Sequence, residues 1–314
     1  RPFAVPFLVR EIEYIKKLGV NVDVFSFKGR KKLYNYFLLW RKVRRIINNK
    51  KYDLIHVHWG YNAILAIPVK VPIIITYRGD DLNGITYING IANYFKSFAL
   101  IYCSKMMSYF ASTIILVTDT FKVKLNKKIP SYIIPSGIDL NIFKPINKNF
   151  CREKINLSLD KKIILFPANK TDEVKNYNLA LEVFSIVKNT INNVDLITIP
   201  MNTDMEKIPY YMNSADCILF TSLQEGSPNV IKEALACNIP VVSTNVGDVE
   251  SRLKNIEGCI VCNNYDSEII ATSVIKTLDH YNKVNGRKNI EQLGIDKTAN
   301  KIVSIYKQLS KGIK

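Results

Sequence analysis

The sequence has few acidic residues and few histidines. Its 314 residues hold 27 Asp and Glu against 44 Lys and Arg, for a net charge of +17, and only 3 His. The one Cys-x-x-Cys pair, Cys259 and Cys262, has no second pair or His cluster at the spacing of a zinc site. No Asp-x-Asp sequence occurs, since Asp80 and Asp81 are adjacent. We therefore predict no metal centre, and reduced cysteines that act as small buried side chains in a cytoplasmic protein.

Long, uniformly apolar segments are also missing. Residues 98–117 have about the 20-residue length that a bilayer requires, but Lys105 and several hydroxyl residues interrupt them. We expect a helix followed by a β-branched strand at 112–118 rather than a membrane span. Residues 3–9 are apolar but lack the cleavage site of a signal peptide. The chain starts with Arg1, so we expect its natural N-terminus to lie further upstream.

The positive charge is concentrated in the first half of the chain. Residues 1–150 hold 24 Lys and Arg against 8 Asp and Glu, whereas the remainder holds 20 against 19. This asymmetry predicts an anionic partner for the first half: nucleic acid, a phospholipid surface or a phosphorylated substrate. Residues 28–47 mix basic and aromatic side chains on a predicted helix. They fit either an amphipathic helix on a membrane surface or an ordinary helix with a solvated basic face.

Apolar runs alternate with helical patterns throughout, which is typical of parallel α/β architecture. We predict two Rossmann-like domains facing a cleft, with ligands at the carboxyl ends of the strands. The first domain covers 1–148, joined by a C-terminal helix at 299–314, and the second covers 149–298. Residues 1–18 read as a loop and a helix, so we expect the opening strand of the first domain, about 15 residues, to be missing. Predicted strands lie at 20–26, 53–58, 71–77, 113–118, 131–135, 162–166, 194–199, 217–221, 241–244 and 258–262. Predicted helices lie at 6–18, 33–49, 61–67, 88–110, 119–126, 177–190, 205–213 and 228–237, followed by two closing helices.

The richest segment, residues 215–248, reads as strand, loop, helix, turn and strand. Ser227 is a good N-cap residue, and Pro228 suits the first helical position. Asn238 suits a left-handed C-terminal cap, and Pro240 prevents the helix from continuing. The unpaired N–H groups and the positive end of the helix dipole suit a phosphate group. Gly226 allows close approach of the backbone to a ligand.

Glu225 and Glu233 bracket this helix start, and with Gly-Ser-Pro-Asn-Val-Ile-Lys between them the segment resembles the donor-binding signature of family-4 retaining glycosyltransferases of the GT-B fold. The likeness is strongest to members that build surface polysaccharides. Residues 134–139 resemble the link between the family's domains, 166–176 the loop that brings basic residues to the donor diphosphate, and 246–250 the glycine-rich loop after the next strand.

The resemblance implies a role for each matching residue. Glu233 would bind the donor ribose, and Glu225 would hold hydroxyls of the transferred sugar as a catalytic residue. Lys170 and Lys175 would offset charge on the leaving diphosphate, a task that a metal ion performs in other enzymes. The remaining residues expected around the donor are Gly226, Ser227, Asn229 and Val230. The resemblance implies no cofactor besides the UDP- or GDP-linked sugar that serves as co-substrate.

A second candidate site follows the strand at 71–77, where the family commonly has His followed by Gly. This chain has Arg78, which we expect to be a catalytic residue together with Glu225. It cannot act as a base but presents a fixed fork of donors for a phosphate or an acceptor anion. Asp80 and Asp81 either bind acceptor hydroxyls or cap the helix that follows. We expect His56 and His58 to face opposite sides of their strand, with one of them buried.

The resemblance and the residues together predict an enzyme that moves a sugar from a nucleotide-diphosphate sugar to a glycan or polyprenyl-diphosphate-linked acceptor, with retention and without a metal. It would work in the cytoplasm, peripherally on the inner face of the cell membrane, with the basic half against an anionic membrane surface. We expect no nucleic-acid partner. A GT-B sugar-nucleotide epimerase, a non-enzymatic basic module that binds membrane or nucleic acid, and an inactive transferase are the alternatives.

Overall fold

The computed structural model describes residues 5–27, 33–84, 92–125, 128–201 and 203–311. The chain divides into two compact units, which exchange at Gly137–Ile138 and again at Gly294–Ile295. The first unit therefore contains the described residues up to Gly137 together with the C-terminal helix, and the second contains 138–294. Both divisions lie earlier in the chain than the boundaries at 148 and 298 expected from the sequence.

The helices are α1 (Pro6–Lys17), α2 (Leu33–Asn49), α3 (Asp80–Asn83), α4 (Ala92–Ser108), α5 (Lys148–Lys154), α6 (Tyr177–Thr190), α7 (Ile208–Ser214), α8 (Asn229–Ala236), α9 (Val249–Leu253), α10 (Ser267–His280), α11 (Arg287–Ile290) and α12 (Ile295–Lys311). Short 3-10 helices span Gly60–Leu65, Asp119–Lys124, Glu173–Lys175 and Glu291–Leu293. The strands are β1 (Ile55–His58), β2 (Ile73–Tyr77), β3 (Thr113–Leu116), β4 (Ser131–Ile133), β5 (Lys162–Phe166), β6 (Val194–Thr198), β7 (Cys217–Phe220), β8 (Val241–Thr244) and β9 (Ile260–Cys262).

The sheet of the first unit is parallel, with strand order β1-β2-β3-β4. Successive side chains of a strand point to opposite faces, so Ile73 and Ile75 enter one core layer and Ile74 enters the other. Helix α4 contributes Met107 to the first layer, whereas α1 and α12 cover the Ile74 face, α1 through Ile15. Apolar cover on both faces explains why the strands read as continuous apolar runs.

The second unit has a five-stranded parallel sheet of order β6-β5-β7-β8-β9. Cys217 and Leu219 of β7 pack in the layer shared with α6 and α10. Ile218 and Phe220 pack in the opposite layer, which includes the apolar side chains of α8. The two-domain α/β fold class predicted from the sequence is thus present as two such parallel units.

Several predicted elements differ from those in the structure. Residues 20–27 form no strand, although Val20 and Val22 pack against the core of the first unit. Their alternating pattern resembled a strand, but they have no ladder partner among the described strands. The helices predicted at 61–67 and 119–126 are short 3-10 turns. Residues 88–91 of the helix predicted at 88–110 lie outside the described residues, and α4 accounts for 92–108 of the remainder.

The segment considered as a membrane span changes structure partway, from α4 to β3. In the part of the chain that the structure describes, we find no helix with the length and apolar content needed to cross a bilayer. Cys262 is buried in the core of the second unit, and burial raises the pKa of its thiol. Burial likewise raises the pKa of Cys259 to about 11, so both thiols are protonated near neutral pH.

Candidate functional site

The loop between β7 and α8 carries most of the candidate residues of the second unit. Helix α8 begins at Asn229, and Pro228, with φ −66° and ψ 124°, is its N-cap residue. The prediction that Ser227 caps this helix is wrong, because the helix starts one residue later and no side chain caps it. The first N–H groups of an α-helix have no partner within the helix. The start of α8 therefore offers backbone donors to a ligand.

Ser227 takes part in a different set of contacts. Its Oγ donates to Asp248 Oδ2 over 2.8 Å and accepts from Lys232 Nζ over 3.2 Å. Arg252 Nε also donates to Asp248 Oδ2, over 2.9 Å. Lys232 is fully buried, which sequence reasoning missed because a helical lysine is ordinarily solvated. The apolar residues that surround Lys232 in the sequence of α8 could have indicated that it is buried.

The end of α8 agrees with the sequence prediction. Asn238 adopts a left-handed conformation with φ 59°, directly after the C-cap residue Cys237. Its side-chain Oδ1 accepts from the Arg287 backbone N–H over 2.8 Å. Asn tolerates this conformation better than most residues. The short helix is therefore fixed at its C-terminal end.

An ion pair connects the loops that follow β5 and β7, which are neighbours in the sheet. Lys175 Nζ donates to Glu225 Oε1, and Ser222 Oγ donates to the same oxygen over 2.9 Å. Thr221 Oγ1 donates to the backbone carbonyl of Lys175 over 3.0 Å. Both charged side chains remain partly exposed. The pair therefore lies at the carboxyl edge of the parallel sheet, where ligands of such sheets bind.

Lys170 has a different neighbour from Lys175. Its side chain is exposed, and its ammonium lies 5.4 Å from the centre of the Tyr177 ring. The structure therefore joins Lys175 to Glu225 but leaves Lys170 on the outer part of the same loop.

The loops around Gly226 and Gly247 pack closely together. Gly226 is buried, and Gly247 has φ 59°. A Cβ added to Gly247 would overlap the carbonyl oxygen of Gly226. Among the described residues, Asn229 Oδ1 and Asp248 Oδ1 are buried oxygens without a hydrogen-bond partner. Buried acceptors normally have a hydrogen-bond partner. These two oxygens could therefore accept hydrogen bonds from a ligand bound at this loop.

The two remaining candidate residues lie on α8 itself. Val230 is half-buried and packs against the core of the second unit, so its side chain supports the helix and its backbone N–H belongs to the first turn. Glu233 is half-buried one turn further along the helix. The structure thus gathers Glu225, Gly226, Ser227, Asn229, Val230 and Glu233 around one helix start, with Lys175 attached through its ion pair.

Arg78 belongs to the first unit and follows β2. Its Nη2 donates to Glu11 Oε1 over 2.9 Å, and its Nη1 donates to Ser136 Oγ over 2.6 Å. The guanidinium carbon lies 5.0 Å from the centre of the Phe7 ring, and the side chain is almost fully buried. Its Nε is buried and finds no hydrogen-bond partner among the described residues. These contacts favour a structural role for Arg78 over capture of an acceptor anion.

His56 and His58 lie on the same side of β1, so the prediction that they face opposite sides is wrong. Residues two apart in a strand share a face, and the two ring centres are 4.4 Å apart. His56 Nδ1 is 2.5 Å from the Tyr306 hydroxyl. Burial, followed by the charge of Arg78, lowers the pKa of His56 to about 3. Burial, the other imidazole and Arg78 hold the pKa of His58 well below its usual range.

Asp81 is fully buried at the start of α3. Its carboxylate accepts the backbone N–H of Gly60 over 3.0 Å, of Gly79 over 2.9 Å and of Arg78 over 3.1 Å. Burial raises the pKa of Asp81 to about 6 despite these donors. Asp80, in contrast, is exposed in the first turn of α3. Of the two roles left open by the sequence, the contacts of Asp81 favour stabilisation of the helix start and its loop.

Two family models match the chain, one mainly in the first compact unit and the other within the second. The model described as Glycosyltransferase Family 4 matches residues 5–142, and the model described as Glycosyl transferases group 1 matches residues 197–280. Both models describe glycosyltransferases and together they match more than half of the chain, so the chain is a glycosyltransferase. The second match contains the loop between β7 and α8 with its surrounding residues.

Curated relatives of the chain are named as sugar-transferring enzymes. TuaC of Bacillus subtilis, a putative teichuronic acid biosynthesis glycosyltransferase, is 26% identical over 63% of this chain. The aligned region spans only 54% of that relative. An Escherichia coli protein named UDP-Gal:alpha-D-GlcNAc-diphosphoundecaprenol alpha-1,3-galactosyltransferase is 24% identical over 98% of this chain and 83% of its own length.

Solved structures agree on the fold. Sucrose-phosphate synthase of Thermosynechococcus elongatus superposes with a TM-score of 0.76 at 18% identity, over 93% of this chain and 83% of that one. At such low identity the likeness concerns the fold alone. It confirms the GT-B fold class expected from the sequence, with a parallel α/β sheet in each unit.

Proposed function

We propose that the chain transfers a sugar from a UDP- or GDP-linked donor to a glycan or polyprenyl-diphosphate-linked acceptor, with retention of configuration and without a metal ion or other cofactor. The observation that carries this proposal is the ion pair of Lys175 and Glu225 beside the uncapped start of α8. The ion pair supplies a cation and a carboxylate, and the start of α8 supplies backbone N–H donors at the same edge of the sheet.

The chemistry of the transfer calls for these groups. Breaking the bond between the sugar and the diphosphate leaves negative charge on the departing phosphate and positive character on the sugar. Lys175 has three N–H donors and uses one for Glu225, so others remain for the phosphate. The N–H groups at the start of α8 add to this stabilisation. Glu225 would accept hydrogen bonds from hydroxyls of the transferred sugar, and Glu233 would accept hydrogen bonds from hydroxyls of the donor ribose.

The acceptor half of the proposal draws on the first unit and on the relatives. The E. coli relative is named for a lipid-linked diphosphate acceptor, and the first 150 residues of this chain carry most of its positive charge. A polyprenyl-diphosphate carrier is anionic and held in the membrane. We therefore propose that the enzyme works peripherally at the cytoplasmic face of the membrane, against an anionic lipid surface.

Calorimetric titration of UDP and GDP into the folded protein tests the donor site. We expect one nucleotide to bind and the Glu233→Ala variant to bind it at least about tenfold more weakly, since a charged hydrogen-bond partner contributes about 1.5–3 kcal/mol. Glu182→Ala, on the exposed face of α6 in the same unit, is the matched control and should bind like the unmodified protein.

Two results would contradict the proposal. Absence of binding by protein shown to be folded by circular dichroism would remove the donor site and favour a non-enzymatic basic module. Conversion of a nucleotide sugar into its epimer without an acceptor would identify an epimerase instead.

A further inference from the structure

Helix α4 presents aromatic side chains to solvent along one face. Tyr94, Phe95 and Phe98 are 72%, 71% and 62% exposed, and Tyr102 and Met106 on the same helix are also exposed. Steps of four residues return to the same face of a helix, so Tyr94, Phe98, Tyr102 and Met106 form one line. We call the set of Tyr94, Phe95, Phe98, Tyr102 and Met106 the aromatic stripe. Single exposed apolar residues are ordinary, but a contiguous set marks an interaction surface.

The opposite face of α4 is fixed to the core of the first unit. Ser104 is fully buried, and its carbonyl oxygen accepts from the Tyr77 hydroxyl over 2.8 Å. Met107 lies in the same core layer as Tyr77. Because this face is packed against β2, the helix cannot turn the aromatic stripe inward without breaking those contacts.

The charged side chains of helix α4 itself are all of one sign. Helix α4 contains Lys96 and Lys105, both exposed, and no acidic residue. The sequence from 82 to 118 holds no Asp or Glu at all. The first 150 residues carry 24 basic against 8 acidic residues. The surface is therefore complementary to an anionic partner that is also apolar just below its charged layer.

We infer that the aromatic stripe docks on an anionic lipid bilayer, with Lys96 and Lys105 among the headgroups. Tyr rings have an apolar body and a polar tip, which suits the boundary between headgroups and acyl chains. Exposed lysines beside such rings add attraction to anionic lipids. Association with a second copy would cover the rings too, but it would bring lysines of like charge together without acidic residues of α4 to offset them.

This inference deepens the proposed contact with an anionic membrane surface and names the residues that make it. It rests on that proposal only for its biological setting, because its test measures binding and requires no sugar transfer. A failure of the lipid experiment therefore leaves the nucleotide titration unaffected, and the reverse also holds.

Co-sedimentation with vesicles tests the inference. We expect the protein to sediment with vesicles of phosphatidylcholine and phosphatidylglycerol at low salt, and much less with phosphatidylcholine alone. The double variant Phe95→Ser, Phe98→Ser should bind the mixed vesicles at least about tenfold more weakly, since each ring loses apolar burial. The double variant Lys96→Gln, Lys105→Gln should lose several-fold in binding, and added salt should remove that difference.

Matched variants distinguish the aromatic stripe from other exposed apolar residues. The double variant Phe37→Ser, Leu38→Ser changes exposed residues of α2, and Phe150→Ser changes an exposed ring of the second unit. Both should bind vesicles like the unmodified protein. Circular dichroism checks that each variant is folded.

Five results would overturn the inference. Three concern lipid binding: failure of the unmodified protein to bind the mixed vesicles, unchanged binding by the Phe95 and Phe98 variant, and loss of binding confined to the Phe37 and Leu38 variant. The other two would identify a competing partner. Ultracentrifugation without lipid that shows a dimer dispersed by the Phe95 and Phe98 variant would assign the stripe to a second copy. Binding of single-stranded RNA in the absence of lipid, lost in that same variant, would assign it to nucleic acid.

Discussion

Ser227 donates a hydrogen bond to Asp248 over 2.8 Å, and this contact joins the loop before α8 to the loop before α9. Arg252 donates to the same carboxylate oxygen of Asp248, and the buried ammonium of Lys232 donates to Ser227. A serine that the sequence assigned to a helix cap thus belongs to a charged network beneath the candidate donor site.

We predict that Asp248→Ala lowers the free energy of unfolding by about 2–4 kcal/mol. The substitution removes the acceptor of two hydrogen bonds and leaves Arg252 without its partner. Urea unfolding followed by circular dichroism measures the change. Asp195→Ala is the control, because the ion pair of Asp195 with Lys161 is largely exposed and should contribute less than about 1 kcal/mol. Equal losses of unfolding free energy in the two variants would show that the buried contacts of Asp248 stabilise the protein no more than an exposed ion pair does.

A second prediction concerns the backbone at Gly247. We expect Gly247→Ala to destabilise the protein by about 2 kcal/mol or more and to weaken nucleotide binding, because its positive φ and the Gly226 carbonyl both oppose a Cβ. Gly19→Ala is a matched control, since Gly19 also has a positive φ but nothing lies within 4 Å of its added Cβ. It should cost about 1 kcal/mol from backbone strain alone and leave nucleotide binding unchanged.

If calorimetry finds unchanged nucleotide affinity in a folded Gly247→Ala variant, the contact between the two loops has no part in binding. A loss of affinity in Gly19→Ala would point to general destabilisation as the cause.

The strands were the most predictable part of the fold. Runs such as Ile73–Tyr77 are buried on both faces, and such strands are recognisable from their apolar residues alone. Residues 20–26 show the limit of that reasoning. Their alternating pattern is correct for a strand, yet strand formation also needs a hydrogen-bonding neighbour, which a local pattern does not report. Short helices such as α3 and α9 have too few residues for a clear period.

The candidate site was predictable where a residue type suits one local conformation. Asn238 adopts the left-handed cap that its side chain tolerates. Lys232 and the carboxylate of Asp248 were missed, because only tertiary packing reveals that they are buried together. Arg78 is a similar case. The sequence shows a guanidinium at a strand end, but its contacts with Glu11 and Ser136 depend on segments far away in the chain.

A third prediction follows from the buried imidazoles of His56 and His58. Their pKa values are lowered in the folded state, so an unfolded chain binds more protons below about pH 6.5, the ordinary value. Stability is thus fully present above that pH and is lost as the pH falls. Asp81 acts in the opposite direction, because its raised pKa of about 6 favours the folded state on acidification. From pH 7.5 to 5.5 we expect a net loss of about 2 kcal/mol.

Urea unfolding at the two pH values measures this loss. His56→Gln should reduce it to less than about 1 kcal/mol, because each buried imidazole contributes about 1.4 kcal/mol over this pH range and the variant removes one of them. His280→Gln should leave it unchanged, because that imidazole is exposed on α10. Equal stability of the unmodified protein at pH 7.5 and 5.5 would rule out neutral buried imidazoles.

The last prediction separates the two lysines of the loop after β5. We expect Lys175→Ala to lower kcat/KM for sugar transfer by about 100-fold or more, because a fixed donor to developing phosphate charge contributes about 2.7–4 kcal/mol. Lys170→Ala should cost less than about tenfold, since its ammonium is exposed and lies against Tyr177. Release of the nucleoside diphosphate measures the rate, and Lys188→Ala, on the exposed face of α6, is the control. Similar losses for Lys170 and Lys175 would mean that both lysines reach the diphosphate and that the ion pair with Glu225 gives Lys175 no special role.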